Sequence, residues 1–64
     1  MIYAVFNVTE ICNNGKEITF KKIILIPEKI NNEVATDQQR LTIATKLLQQ
    51  QHFYNLEFLK WKKV

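Results

Sequence analysis

The first apolar segment of the chain, residues 2–11 (IYAVFNVTEI), has the pattern of a β-strand. It is rich in β-branched and aromatic side chains, which favour strands. Alternation places apolar groups on both faces, with Ile2, Ala4, Phe6 and Val8 on one face and Tyr3 and Val5 on the other. A strand that is apolar on both faces is typical of the centre of a sheet.

A second strand is predicted over residues 17–26, and the Asn14-Gly15 dipeptide between the two segments predicts a hairpin. This dipeptide suits a tight turn whose central residues take positive φ. Lys21 and Lys22 interrupt the alternation of the second strand, which predicts a bulge at that point. Proline cannot donate a hydrogen bond to a neighbouring strand, so the hairpin is expected to span residues 2–26 and to stop before Pro27.

A loop is predicted over residues 27–36 and an amphipathic helix over residues 37–51. Thr36 and Gln39 have the spacing of a capping box, in which each side chain bonds the backbone of the other residue. At about 100° per residue, the apolar side chains of the helix fall on one arc. That arc consists of Leu41, Ile43, Ala44, Leu47 and Leu48.

A third strand is predicted over residues 56–64, with Leu56 and Phe58 on one face and Leu59 and Trp61 on the other. The element order is then β-β-α-β, in the α+β class, and residues 1–64 form a single small domain. A right-handed crossover through the helix predicts that the third strand lies beside the first and parallel to it. The expected architecture is a three-stranded mixed sheet of order 2-1-3, with the helix on one face.

One helix covers only one face of such a sheet, so the other face is expected to hold apolar side chains without cover. Monomers rarely expose large contiguous apolar patches. The sequence therefore predicts contact with another protein and a homodimer. The expected interface residues are Tyr3, Val5, Ile43, Leu47, Phe53, Tyr54 and Trp61.

The composition also favours a partner chain. The protein has 64 residues, of which 47% are hydrophobic, with one cysteine and one histidine. A domain of this size is usually stabilised by disulfides, by a metal or by oligomerisation. One cysteine cannot form an internal disulfide, and one cysteine with one histidine cannot complete a tetrahedral metal site. No metal or cofactor is therefore expected.

Few residue combinations in the chain could support catalysis. The sequence contains no serine and a single glycine, which excludes a Ser-His-Asp triad and a glycine-rich phosphate loop. Cys12 and His52 could form a nucleophilic pair only if the fold brought them together, and no third residue is evident. We expect no catalytic residues, no small-molecule substrate and no enzymatic activity.

Nucleic-acid binding is the alternative function, because the net charge is +3 and lysines flank the only tryptophan. Lysines neutralise phosphates, and aromatic side chains stack on bases. The candidate phosphate contacts are Lys21, Lys22, Lys60, Lys62 and Lys63. Two observations favour protein binding instead: Arg40 is the only arginine, and lysines on edge strands also guard a sheet against aggregation.

The N-terminal residues lack a basic leader, and no apolar run reaches the roughly 20 residues of a membrane span. A cytoplasmic protein without membrane contact is expected. Small proteins of this build include the inhibitors and adaptors that phages and mobile elements carry, which is an analogy of size and composition.

Overall fold

The computed structural model describes residues 2–63 and confirms a small α+β domain. Its elements are β1 (Ile2–Ile11), β2 (Glu17–Ile26), β3 (Lys29–Ile30), β4 (Glu33–Val34), α1 (Asp37–Gln50) and β5 (Tyr54–Lys63). The main sheet has the order β2-β1-β5, so the predicted order 2-1-3 is confirmed. Val64, which the predicted third strand included, lies outside the described residues.

The predicted direction of the last strand was wrong, because β5 pairs with β1 in the antiparallel sense. Ile26 lies opposite Ile2, so β2 ends at the same end of the sheet at which β1 begins. The helix returns the chain to the other end, and β5 then runs back toward Ile2, which pairs with Lys63. The crossover therefore joins β2 to β5, and these two are the parallel strands. β1 lies between them and is antiparallel to both, which makes the sheet fully antiparallel.

The β1–β2 turn differs from the predicted one. Gly15 N–H donates to the Cys12 carbonyl at 2.9 Å, and Cys12 N–H donates to the Lys16 carbonyl at 2.8 Å. Gly15 has φ of +80°, whereas Asn14 is not among the residues with positive φ. This is a three-residue loop, in which a type I turn is followed by a left-handed residue.

The predicted loop 27–36 contains a second, very short hairpin. Ile30 pairs with Glu33, so Asn31 and Asn32 form the two-residue turn between β3 and β4. Their φ angles are 53° and 67°. Positive φ at both central residues is the geometry that we expected at Asn14-Gly15, and asparagine tolerates it better than most residues.

The predicted bulge at Lys21-Lys22 was also wrong. β1 and β2 pair without interruption over ten residues of each strand. The irregularities lie between β1 and β5, where the register shifts between Val5 and Phe6 and again between Asn7 and Thr9. Consecutive apolar residues in β2 therefore alternate faces normally, and some of them are exposed.

Both ends of α1 have well-formed caps. At the N-terminus, Gln39 N–H donates to Thr36 Oγ1 at 3.2 Å and Thr36 N–H donates to Gln39 Oε1 at 2.9 Å, which confirms the capping box. At the C-terminus, the N–H groups of His52 and Phe53 donate to the carbonyls of Gln49 and Leu48. This pattern is a Schellman motif, and His52, with φ of 68°, occupies the position where glycine is usual.

The hydrophobic core lies between α1 and one face of the sheet. Its buried residues are Ala4, Phe6, Val8, Ile24, Ile26, Ala44, Leu48 and Phe53. Arg40 is also buried. Its guanidinium donates to the Glu28 carbonyl at 3.2 Å and to Asp37 Oδ1 at 3.3 Å. These bonds attach the connection between β2 and α1 to the first turn of the helix.

Candidate functional site

The face of the sheet opposite α1 has no covering element in residues 2–63, and we call it the open face. Even-numbered residues of β1, such as Ala4 and Phe6, belong to the core. Side chains alternate along a strand, so the odd-numbered residues of β1 lie on the open face. Residues opposite each other on antiparallel strands share a face. The register therefore also assigns the odd-numbered residues of β2 to the open face.

Half of the open face is an apolar surface. It comprises Tyr3, Val5, Ile23, Leu25 and Leu59, and we call it the open-face patch. Ile23 and Leu25 are 52% and 45% exposed, although isoleucine and leucine are residue types that are usually buried. Leu59 has no partner on β1, because the register shifts from the Val5–Lys60 pair to the Phe6–Phe58 pair. Alternation from the core-facing Phe58 places it on the open face. Within the patch Val5 is buried and Tyr3 is half-buried, so its exposed apolar surface comes mainly from Ile23, Leu25 and Leu59.

Lysines border this patch on both sides. Lys60 and Lys62 lie opposite Val5 and Tyr3 on β5, and Lys21 lies opposite Asn7 on β2. All three lysines are exposed. An apolar surface with cations along its rim is complementary to a partner that presents apolar side chains among acidic ones.

Apart from Ile11, which is 59% exposed at the end of β1, the other half of the open face is polar and internally paired. Thr9 and Thr19 share a hydrogen bond between their hydroxyl oxygens at 3.1 Å. Asn7 Nδ2 donates to Glu57 Oε1 at 3.0 Å. These pairs satisfy their own polar groups, so the apolar surface stops at the middle of the sheet.

Tyr54 also lies in the polar half, opposite Thr9 on β5. Interaction with the Glu17 carboxylate, followed by burial, raises the pKa of Tyr54 from 10.0 to about 12. The phenol oxygen is buried without a well-formed hydrogen bond, so this interaction falls short of ideal geometry. A nearby carboxylate favours the neutral phenol because it can accept the phenol proton and repels the phenolate.

Comparison with protein-family models, with curated proteins and with solved structures gave no match.

The structure distributes the seven predicted interface residues over three regions. Tyr3 and Val5 lie in the open-face patch, and Tyr54 lies in the polar half of the same face. Phe53 belongs to the core, and Ile43 packs against the core. The side chain of Leu47 is 37% exposed on α1. The last of the seven, Trp61, lies on the side of the sheet that α1 covers.

The placement of Trp61 corrects the expected faces of the last strand. Its ring centroid lies 4.8 Å from that of Phe58, and both side chains pack against the core. Strict alternation would put positions 58 and 61 on opposite faces, but the inserted Leu59 changes the phase of the strand. Trp61 therefore lies on the helix side of the sheet and not on the open face.

The five candidate phosphate contacts do not form one surface. Lys21, Lys60 and Lys62 lie on the open face, whereas Lys22 and Lys63 lie opposite Phe6 and Ile2 on the helix side. The Lys22 ammonium is 5.6 Å from the centroid of the Phe53 ring, which is a cation–π distance. The lysine-rich C-terminus therefore divides between two faces.

Sequence reasoning missed Ile23, Leu25 and Leu59 as parts of the candidate surface. The expected bulge at Lys21-Lys22 hid the regular alternation of β2, and nothing in the residues around Leu59 indicates a bulge there. Regular alternation along the whole of β2 places Ile23 and Leu25 on the face opposite Ile24. That alternation was the signal that could have identified Ile23 and Leu25.

No other candidate site stands out in residues 2–63. No group of three or more potential metal ligands occurs among them, and no pocket is present in the described surface. None of the described helices has the length and apolar character to cross a membrane. Cys12 lies at the β1–β2 turn, and His52 contributes its backbone to the C-cap of α1.

Proposed function

We propose that the protein is a non-enzymatic binding module that contacts another protein through the open-face patch. The observation that carries the proposal is a contiguous set of apolar side chains on a sheet face that α1 leaves bare. Exposed apolar patches with a polar rim are characteristic of protein-interaction sites. The patch also contains Tyr3, and tyrosine is a residue type that often anchors such interfaces.

The non-enzymatic character rests on the amino-acid inventory. The chain has no serine, one cysteine and one histidine. The backbone of that histidine, His52, bonds to the last turn of α1. We further propose an inhibitor or adaptor that acts in the cytoplasm, of the kind that phages and mobile elements encode. That part of the proposal rests on size and composition alone.

The test is a pull-down with the tagged full chain from a lysate of the cells that encode it, with and without nuclease. The informative variant is Ile23→Ser combined with Leu25→Ser, which removes the exposed apolar groups of the patch and leaves the core intact. The matched control is Val34→Ser, because Val34 is 73% exposed and lies in the β3–β4 hairpin. Circular dichroism verifies that both variants fold.

We expect a specific protein to co-purify in both nuclease conditions. It should be lost with the Ile23/Leu25 double variant and retained with Val34→Ser. Retention of the same partner by the double variant would show that the open-face patch is not the binding surface.

Nucleic-acid binding is the second candidate, because Lys21, Lys60 and Lys62 share the open face with Tyr3. A phosphate backbone would contact these three lysines, and each lost contact should lower the slope of log affinity against log salt by about one. Substitution of all three by alanine tests this in a titration with a single-stranded oligonucleotide. An unchanged slope would rule out this function for the open face.

A further inference from the structure

The outer edge of β2 is the most regular unpaired backbone in the described chain. β2 is the terminal strand of the sheet, and in residues 2–63 no other element packs along its outer side. Its ten residues pair with β1 without a bulge. β5, the opposite edge strand, carries both register shifts. Bulges blunt an edge against further pairing, so only β2 offers a long and continuous row of backbone groups.

The hairpin geometry identifies which backbone groups of β2 point outward. Cys12 and Lys16 form a hydrogen-bonded pair at the turn, and such pairs recur at every second position of an antiparallel ladder. Even-numbered residues of β2, beginning with Ile18, therefore bond to β1. The outward N–H and C=O groups belong to Glu17, Thr19, Lys21, Ile23 and Leu25. The side chains of these same five residues lie on the open face.

Self-pairing of two β2 edges meets a specific obstacle. Two β2 edges can pair in the antiparallel sense through a twofold axis perpendicular to the sheet, which keeps the open faces of both copies on the same side. Residues opposite each other then share a face, so their residue numbers are both odd or both even. The two longest registers each pair nine residues. One of them centres on Lys21 and the other on Lys22, so each places a lysine directly opposite its own copy. Like charges directly opposite each other destabilise a strand pair.

We propose that the β2 edge binds an extended, acidic segment of the partner protein, which adds a fourth strand to the sheet. Strand addition uses the free backbone groups for affinity and the side chains for selectivity. Adjacent acidic residues on the incoming strand would meet Lys21 on the open face and Lys22 on the helix face. The added strand would also widen the open-face patch beside Ile23 and Leu25. This inference rests on the proposed protein-binding function and specifies the chemistry of the partner.

The first test uses two synthetic nine-residue peptides of alternating threonine and valine. One has two adjacent central glutamates and the other has two central lysines. Binding to the full chain is followed by NMR, with amide hydrogen exchange as the structural readout. We expect the glutamate peptide to bind about tenfold more tightly, because two opposite-charge pairs replace two like-charge pairs. Amides of Thr19, Lys21 and Ile23 should gain protection from exchange, while those of Phe20 and Lys22, already bonded to β1, should not.

Two single substitutions separate the edge from general charge. Lys21→Glu should weaken binding of the glutamate peptide roughly fivefold, since it replaces an attractive cross-strand pair by a repulsive one. Lys60→Glu changes the net charge equally but lies on β5, so it should leave the affinity nearly unchanged. A synthetic chain with an N-methyl group on the Thr19 amide should fold and lose the peptide, because that N–H points away from β1.

Several results would overturn the inference. Equal affinity for the two peptides would remove the role of charge, and protection along β5 would place the added strand elsewhere. Absence of binding at about 1 mM peptide would mean that the binding free energy is weaker than roughly 4 kcal/mol. The lysines would then only protect the β2 edge against aggregation. A pulled-down partner that requires Leu25 but tolerates the N-methyl group would leave the proposed function standing and refute strand addition.

Discussion

At the scale of single residues, positive backbone φ angles occur at chain reversals and irregularities. The non-glycine residues concerned are Asn31, Asn32, His52 and Asn55. Asparagine visits this region at modest cost because its short polar side chain can bond locally. Among residues 2–63, the side chain of His52, which follows the C-cap of α1, makes no such bond, so His52 holds backbone strain that glycine would relieve.

Replacement of His52 by glycine should therefore stabilise the protein. A non-glycine residue in the left-handed region costs roughly 1–2 kcal/mol. Glycine removes this cost but also raises the conformational entropy of the unfolded chain, which offsets part of the gain. We expect a net gain of about 1 kcal/mol in the free energy of unfolding, measured by urea denaturation.

Lys46→Gly is the matched control, because it introduces the same residue six positions earlier, at an exposed position in the interior of the helix. That variant should lose about 1 kcal/mol, which is the usual penalty for glycine in a helix interior. A loss of stability in His52→Gly would mean that the imidazole makes a contribution larger than the strain.

The Tyr54–Glu17 interaction gives the fold a dependence on alkaline pH. The pKa of Tyr54 is raised to about 12 in the folded chain, against about 10 for an unfolded tyrosine. A raised pKa stabilises the fold while the phenol is protonated, so this contribution is complete below about pH 10 and disappears between about pH 10 and pH 12. Tyr54→Phe should remove it.

The measurement is an absorbance titration of tyrosinate in the wild type and in Tyr54→Phe, with urea denaturation at each pH. The difference between the two titration curves should have its midpoint near pH 12. Glu17→Gln should move that midpoint down toward 10, since the carboxylate is the main cause of the shift. A midpoint that does not respond to Glu17→Gln would assign the shift to burial.

At the scale of elements, the phase of each strand decides which side chains meet. The inserted Leu59 brings Trp61 to the side of Phe58, whose ring is also 5.5 Å from that of Phe6. A one-residue change in a strand moves all following side chains to the opposite face. The bulge therefore packs the only tryptophan of the chain against the core, and it places Lys60 and Lys62 at the rim of the open-face patch.

Deletion of Leu59 should destabilise the protein far more than its truncation to alanine. The deletion removes the bulge and turns Trp61 out of the core, which should cost about 3 kcal/mol or more. Leu59→Ala keeps the phase, and Leu59 is already 38% exposed, so we expect a loss of about 1 kcal/mol.

Urea denaturation monitored by the fluorescence of Trp61 distinguishes the two variants. In the deletion variant, the emission of the native state should shift to longer wavelength as the indole enters water. Similar losses for deletion and truncation would indicate that β5 can restore its phase by another irregularity.

The sequence was sufficient for features that depend on local chemistry or on binary patterning. The capping box at Thr36 and Gln39, the element order and the central place of β1 are such features. The two bulges of β5 were not predictable, because nothing in the residues beside them marks a change of register with β1. Errors in strand phase then affected the expected surface: Trp61 was separated from Phe58, and the expected bulge at Lys21-Lys22 obscured the exposure of Ile23 and Leu25.

At the scale of the whole molecule, the domain is elongated and incompletely covered. A helix of 14 residues is about 21 Å long, whereas strands of ten residues span about 33 Å. The radius of gyration is 12.8 Å, against about 11 Å for a compact chain of this length. Its accessible surface of 4819 Å² exceeds the roughly 4,300 Å² expected for its mass.

The homodimer stays a prediction, and its dependence on salt should reveal its geometry. A dimer that superimposes two open-face patches also brings together the lysines at their rims. We expect such a dimer to strengthen between about 50 mM and about 500 mM salt, because screening weakens that repulsion. Binding of an acidic partner should change in the opposite direction.

Sedimentation velocity over a range of concentrations measures this dependence. Leu25→Ser should abolish the dimer, and Val34→Ser should not affect it. A dimer that survives Leu25→Ser, or that weakens as salt is raised, would have to form through a different surface.

The order of strands in the sheet also affects when the chain can fold during synthesis. Among the described strands, β1 leaves the ribosome first and β5 last, yet they are neighbours, with Ile2 paired to Lys63. Until β5 emerges, β1 has one bare edge and Phe6 lacks the ring of Phe58. The growing chain therefore has no complete core to close, and we expect its apolar first strand to remain a target for chaperones until translation of β5 is finished.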